Sequence, residues 1–463
     1  MTASLRPFQI EDLAVAIKNP RSFNLSEPGT GKTPTFCALA WFYWSRKGKK
    51  TIIVQPNHLR DKNRLEVIRF SGFKPEEVQV IEKADETLGP RKRKDFPNAD
   101  QETGYINYLA DSDIKVFVVG FTFLKTYWEE LVKHHPEIDL LVVDEGHLGY
   151  KTYNSKASRE LYSLMDRTKG FYYCTGTPID GRLDSCFVAI HVVKPEYYGS
   201  YRGFRAQHAG FEDDYGNVLY WINEEKVTEI FNRHGVLRLW KDVHGEQDRN
   251  IEIIDDIKMS EKMGEAYREF EQMACVELDN MFIEGSNPGV AAMRARQIIN
   301  CPHIYGIDEK TPKQQYLEGI AEPGTVVFGS MPEEVEAAAA ILRAMDLKVG
   351  VMHGKVSHKK RVQIDKDYQE GKLDCICATP AVASTGWNWQ RTKNIVYLSL
   401  DYQDSNVEQS IRRGERELRE FPLNIYFLEY ENSVDQKVRK IVVKKENLTE
   451  SVMKNVKGLS NAS

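Results

Sequence analysis

The sequence predicts an α/β protein of two tandem domains, each built on a parallel sheet, with helical insertions between them. Three observations carry that prediction. Short β-branched runs alternate with longer helical patterns in two separate stretches of the chain. The runs are nearly continuous in apolar residues, as expected of strands that helices cover on both faces. The length of 463 residues also suggests about three units, at roughly 150 residues each.

In the first stretch, strands are expected at 51–55, 115–120, 139–144 and 170–175, with helices over 32–45, 58–70 and 121–134. In the second, strands at 325–329, 348–352, 373–378, 394–399 and 424–429 alternate with helices over 332–345, 357–370 and 406–418. The two α/β domains then span 1–195 and 321–445. Residues 196–320, aromatic and charged with helical patches, are assigned to helical insertions and a connector. Residues 446–463 carry few large apolar side chains and are expected to form a flexible tail.

Composition excludes several classes. With 41% hydrophobic and 28% charged residues the chain is an ordinary globular one rather than extended disorder. No apolar run approaches a membrane span, and the first residues lack the basic start and apolar block of a signal peptide. A cytoplasmic protein without membrane partners is expected. Seven cysteines (Cys37, Cys174, Cys186, Cys275, Cys301, Cys375 and Cys377) are few, odd in number and scattered, which points to a reducing compartment. Cys375 and Cys377 sit on an apolar run without a second ligand pair and read as packing. The formal charge of −5 excludes a generally basic binder, but not local basic tracks at 46–50, 91–94, 358–361 and 437–445. Trp387 and Trp389 read equally as base-stacking or core residues, whereas His134, His135 and His353 lack ligand-spaced partners and read as structural.

The chemistry concentrates in two places. Ser26-Glu-Pro-Gly-Thr-Gly-Lys-Thr33 lies between a short apolar run and an amphipathic helix. Gly29 and Gly31 let the backbone, with Thr30 between them, curl so that its N–H groups face phosphate oxygens, and the next helix adds its positive end. Lys32 would reach the β- and γ-phosphates, and the Thr33 hydroxyl would ligate Mg²⁺. Ser26 stands where the strict motif has its first glycine. The second place is Asp139-Leu-Leu-Val-Val-Asp-Glu-Gly-His147, a buried strand ending in two carboxylates. A strand terminus delivers them to the crevice beyond the sheet, where Asp144 can hold Mg²⁺ and Glu145 can act as general base. ATP and Mg²⁺ are the expected cofactors.

These residues resemble a superfamily-two helicase or translocase, close to the Swi/Snf-like group and phage DNA helicases. The resemblance covers Leu5 to Glu429, through motifs in the family's order. Leu5-Arg-Pro-Phe-Gln9 resembles the adenine-reading segment and makes Gln9 the base contact; Ser26–Thr33 is the phosphate loop. Gln55-Pro56, with Leu59 and Glu66, resembles the first strand-tracking motif, with Asn63 where an aromatic is usual. Gly120-Phe-Thr-Phe-Leu124 resembles the next. Asp144-Glu-Gly-His147 is a DEAH variant, and Thr175-Gly-Thr-Pro178 resembles the motif linking hydrolysis to strand contact. Met293–Pro302 resembles a segment peculiar to the Swi/Snf-like group, and Val327–Ser330 with Met352-His-Gly354 the fourth motif and its companion. Ala378–Asn388 resembles the fifth motif and adds Gly386 to the nucleotide-binding set. Gln409-Ser-Ile-Arg-Arg-Gly-Glu-Arg416 resembles the last motif, with Arg412 in its glycine position.

The resemblance implies two RecA-like domains and an ATP-driven motor on DNA, with forked or branched DNA as partner. It implies that an arginine of the second domain, Arg413 or Arg416 with Arg412 as the alternative, acts as a finger on the nucleotide of the first. A monomer in a bacterial or phage-infected cytoplasm, working beside replication or recombination proteins, is the expected setting. An RNA helicase, a protein-displacing remodeller and a nucleotide-gated binding module remain the alternatives.

Overall fold

In the first sheet, β1 (Arg21–Asn24), β2 (Lys50–Gln55), β3 (Val78–Ile81), β4 (Val116–Gly120), β5 (Ile138–Val143) and β6 (Gly170–Cys174) all run parallel. The computed structural model describes residues 4–81, 113–245, 249–278, 281–285, 287–383, 387, 389–402, 404–414, 422–454 and 456. Both faces of the sheet are covered. Ile53, Val118 and Val142 point to one side, where α1 (Pro7–Lys18), α2 (Lys32–Lys47) and α3 (Arg60–Phe70) pack with Phe36, Leu39, Tyr43 and Val67. Their neighbours Ile52, Val54, Phe117, Val119, Leu141 and Val143 point to the other, against α4 (Phe121–His134) and the helices Lys156–Met165 and Phe187–Val193. This period of two under two helical layers is why the strands read as unbroken apolar runs. Each fully buried Val, Leu or Phe contributes about 1.5–3 kcal/mol.

Beyond β6 the chain forms a hairpin of β7 (Ala209–Glu212) and β8 (Val218–Trp221), then the short strand β9 (Gly235–Val236). β9 pairs with β1 and completes the order β3-β4-β2-β5-β6-β1-β9. The second sheet is built likewise. Its strands are β10 (Arg249–Ile257), β13 (Thr325–Phe328), β14 (Val349–Met352), β15 (Cys375–Ala378), β16 (Asn394–Tyr397) and β17 (Leu423–Tyr430), all parallel in the order β10-β17-β16-β13-β15-β14. The hairpin of β11 (Cys275–Leu278) and β12 (Met281–Glu284) precedes β13.

The chain divides into Met1–Val243 with Asn447–Ser463, and His244–Glu446. The stretch 196–320 is thus no body of its own: residues to 243 belong to the first unit, and those from 244 to the second. The expected tail also differs. The helix Val434–Met453 runs into it, Val452 and Val456 are buried in the first unit's core, and Thr228 Oγ1 donates to the Val452 carbonyl at 2.9 Å. Leu448 and Val452, four residues apart on one face of the helix, and Val456 beyond its end are the few apolar side chains that dock it. All seven cysteines are unpaired, with Cys375 and Cys377 buried. Among the described residues no helix is long and apolar enough to cross a membrane.

Candidate nucleotide site

β1 ends at Asn24, whose side chain starts the turn: Oδ1 accepts from the Ser26 N–H at 3.1 Å and Nδ2 donates to the Tyr172 hydroxyl at 2.9 Å. Gly29 and Gly31 take φ of 82° and 96°, left-handed backbone that a side chain resists. A Cβ on Gly31 would also stand 2.5 Å from Gln9 Nε2. Gln9, buried on α1, donates to the Gly31 carbonyl at 3.1 Å and accepts from the Arg6 N–H at 2.9 Å. Lys32 opens α2 and is 8% exposed. Its ammonium donates back to the carbonyls of Ser26 (2.8 Å) and Glu27 (3.2 Å), while Thr30 Oγ1 donates to the Glu27 carbonyl at 2.7 Å. Both acceptors of Lys32 are neutral, and anionic phosphate oxygens make stronger partners. Thr33 is half-buried in the first turn of α2, and Pro34 is tolerated there because that turn has no use for its missing N–H.

The carboxylates arrive from β5. The Asp144 N–H donates to the Val54 carbonyl at 2.8 Å, and its side chain is buried. Burial and then the neighbouring Glu145 push its carboxyl up to about 6, against the pull of Lys32 and of Asn63, whose Nδ2 donates to Asp144 Oδ2 at 3.0 Å. Glu145 sits at a φ of 49°, so the chain turns sharply after the strand. Its Oε2 lies 3.5 Å from His147 Nδ1, which lies 3.0 Å from Thr175 Oγ1. Burial holds the His147 imidazole below its ordinary pKa, and Thr175 Oγ1 also accepts from the Thr177 N–H at 3.0 Å. A neutral ring accepting the Thr175 proton satisfies both. The Asp144–His147 and Thr175–Pro178 segments are thereby joined, and Gly176 backs onto the phosphate loop so closely that a Cβ would meet Pro28 Cδ at 2.6 Å. Gly146, unusual in its motif, fits for the same reason: a Cβ there would stand 2.2 Å from Tyr173 Cζ.

The first unit therefore brings together Gln9, Ser26, Gly29, Thr30, Gly31, Lys32, Thr33, Asp144 and Glu145. Left-handed glycines, a helix N-terminus and a lysine on neutral acceptors fit a triphosphate. Asp144, reluctant to ionise alone, fits a site that a divalent cation completes. Arg413 belongs to the second unit, where its Nε donates to the Ala383 carbonyl at 3.2 Å and its own carbonyl accepts from the Trp389 N–H at 3.0 Å, tying the last motif to the fifth. Arg416 and Gly386 lie outside the described residues.

Several readings change. Asn63, expected at a strand-tracking position, is buried and joins Gln55 Oε1 to Asp144, so it orients the carboxylate. Its polar side chain in place of the usual aromatic was the only signal. Trp387 and Trp389 are both buried, and Trp387 Nε1 donates to the Val382 carbonyl at 2.9 Å, which resolves them as core. His135 meets Lys50 Nζ at 3.0 Å and His353 meets Glu336 at 3.0 Å, both structural; no metal-holding cluster of three or more His, Cys, Asp or Glu occurs among the described residues. Of the basic tracks, Lys50 is buried against Glu137 at 2.6 Å, Lys437 and Arg439 pair with Glu271 and Glu429, and 358–360 is exposed. The track at 91–94 lies outside the described residues. Arg238 and Trp240, which grip the phosphate loop, carried no motif that marked them.

A parallel α/β sheet with a glycine loop feeding a helix and two carboxylates on a neighbouring strand end defines a phosphate-loop nucleotide-binding protein. The family is more specific. Residues 25–304 match the SNF2-related domain and 313–417 the helicase conserved C-terminal domain, so the chain belongs to the SNF2-related family of superfamily-two helicases. It is 26% identical over 212 residues to the DNA annealing helicase and endonuclease ZRANB3 of Bos taurus, covering 45% of this chain and 18% of that protein. It is 38% identical over 91 residues to the DNA repair and recombination protein RDH54 of Saccharomyces cerevisiae, covering 20% of this chain and 10% of that protein. The matched part is thus under a fifth of either relative's length. The solved Sulfolobus solfataricus SWI2/SNF2 ATPase core in complex with dsDNA aligns over 100% of this chain and 96% of its own at 15% identity and a TM-score of 0.42.

Proposed function

We propose that this protein is an ATP-driven DNA translocase that remodels forked or branched DNA. One observation carries the reading: Lys32, Asp144 and Glu145 converge at the carboxyl end of one parallel sheet, in a chain of the SNF2-related family. The loop N–H groups and Lys32 would hold the triphosphate, Gln9 would read the base, and Thr33 and Asp144 would hold Mg²⁺. Held there, Mg²⁺ would supply neutralisation of phosphate charge. Glu145 takes the proton of the attacking water, and the His147–Thr175 hydrogen bond joins the segment that carries Glu145 to the one expected to respond to the strand. Arg413, which belongs to the second unit, is the proposed finger. DNA as substrate is supported by the names of the relatives, a DNA annealing helicase and a DNA repair and recombination protein.

The test is ATP turnover of wild type and Glu145→Gln with linear, forked and four-way DNA and with RNA. Forked or four-way DNA should stimulate wild type most, binding should weaken steeply with salt, and Glu145→Gln should retain ATP while losing turnover. Stimulation by RNA alone supports an RNA helicase instead. Indifference to every nucleic acid removes the motor.

A further inference from the structure

The phosphate loop is held by a strap that none of its motifs includes. The Val236 carbonyl accepts from the Leu25 N–H at 2.9 Å, the Arg238 N–H donates to Ser26 Oγ at 3.0 Å, and the Arg238 carbonyl accepts from the Glu27 N–H at 3.0 Å. Two residues on, the Trp240 N–H donates to the Glu27 carboxylate. The Trp240 ring covers Gly29 so closely that a Cβ would stand 2.4 Å from its Cζ3.

The Arg238 side chain reaches the opposite way, to α1. Its Nε and Nη2 donate to Asp12 Oδ1 at 3.1 and 2.8 Å, and Nη2 also donates to Glu11 at 2.8 Å. The guanidinium stands 5.5 Å from the Phe8 ring centroid. Phe8, Glu11 and Asp12 share α1 with Gln9, the base-reading residue. With the side chains of Asp12 and Arg238 only 3% and 12% exposed, the pair is shielded from water, and its geometry is fixed by several charge-assisted bonds at once. A single residue therefore fastens the helix that reads the base to the loop that holds the phosphates, through its side chain at one end and its backbone at the other.

We propose that Arg238 is a positioning residue coupling the base site to the phosphate site, so that recognition of the base sets the opening of the loop. The inference rests on the nucleotide-site reading above. A shift of α1 toward a bound base pulls on Arg238, and its two backbone bonds carry the pull to Ser26 and Glu27. Trp240 and Glu27 bound the other edge, so the loop answers by opening or closing around Gly29 rather than by sliding.

The experiment compares KM and kcat for ATP and CTP in wild type, Arg238→Gln, Arg238→Lys, Gln9→Ala and the double variant Gln9→Ala/Arg238→Gln. Arg238→Gln should raise KM for ATP about tenfold while lowering kcat by less, and should shrink the preference for ATP over CTP toward that of Gln9→Ala. The double variant should lose no more base preference than either single one, because both changes cut the same coupling. Arg238→Lys, which keeps a cation beside Asp12 and every backbone bond, should restore part of the preference. Additive losses in the double variant, or a wild-type ATP preference in Arg238→Gln, would overturn the coupling. Should Arg238→Gln fold poorly, Asp12→Asn cuts the same pair at the α1 end, and an unaltered base preference there overturns it equally. The nucleotide-site reading fails separately, if Lys32→Ala hydrolyses ATP as fast as wild type.

Discussion

The first unit buries Lys32 and Lys50 and the second buries Lys313, and Lys32 and Lys313 bond in opposite ways. Among the described residues Lys32, 8% exposed, donates to the carbonyls of Ser26 and Glu27. Lys313, 3% exposed, bonds to the Asp435 carboxylate at 2.5 Å, to Asn300 Oδ1 at 2.9 Å and to the Leu398 carbonyl just past β16. The first cation is parked on neutral acceptors that an anion can displace. The second is matched in place by a carboxylate that is itself buried, and nothing needs to arrive. Lys50 and Lys313 are each set against a carboxylate, whereas Lys32, the proposed binding charge, is not, and the difference lies in the acceptors, not the fold.

The largest effects should come from exchanging those roles for nothing. Lys32→Ala should slow ATP turnover by orders of magnitude, since charge stabilisation and positioning carry most of phosphoryl transfer, while urea unfolding barely moves. Lys313→Met should do the reverse. It strands Asp435 without its cation and should cost about 3–5 kcal/mol in the second unit's unfolding transition, with turnover surviving at low temperature. The comparison breaks if Lys313→Met leaves unfolding unchanged but abolishes turnover. A somewhat smaller effect sharpens the contrast between the units. Arg413→Ala should lower DNA-stimulated turnover on the order of 10³-fold with ATP and DNA affinity largely kept, whereas Arg412→Gly should be mild. Single-turnover hydrolysis separates them, and the reverse order moves the finger to Arg412.

What the sequence made legible follows from this difference. Phosphate chemistry needs a loop of fixed length, left-handed glycines and a strand ending in carboxylates, so Gly29, Gly31 and Lys32 stand out in one short run and Asp144 and Glu145 in another. The central strands were equally plain, because burial on both faces writes unbroken apolar runs such as Ile52-Ile53-Val54. Contacts between distant segments leave no such trace. The pairing of β9 with β1, and the reach of Arg238 across 226 residues to Asp12, depend on tertiary folding of a stretch whose local pattern is merely helical and aromatic. Asn63 is a similar case: its contact with Asp144 spans 81 residues, and only the departure from the family's aromatic marked the position. The docking of Val452 and Val456 was missed because a short apolar face looks sparse until a partner surface is present.

The smallest expected effect concerns a carboxylate that stands beside Lys313 and is held differently from Asp435. Glu334 is 3% exposed; its Oε2 accepts from the Ser330 N–H at 2.9 Å and from Ser399 Oγ at 2.7 Å. Burial pushes its carboxyl from 4.5 up to about 7, outweighing the pull of Lys313, Arg296 and the Ser399 bond, while Asp435 adds to the rise. Burial thus favours the protonated form of Glu334. In the unfolded chain the same group releases its proton near 4.5. Across that interval the folded state binds more protons than the unfolded one, so the contribution to stability is present at low pH and falls as pH rises toward 7. Glu334→Gln fixes the protonated shape and removes the titration. From about pH 5 to about pH 7.5 the second unit of wild type should lose on the order of 2 kcal/mol that the variant does not lose. Urea unfolding at a series of pH values measures it, and an equal slope in Glu334→Gln would assign the proton to another group.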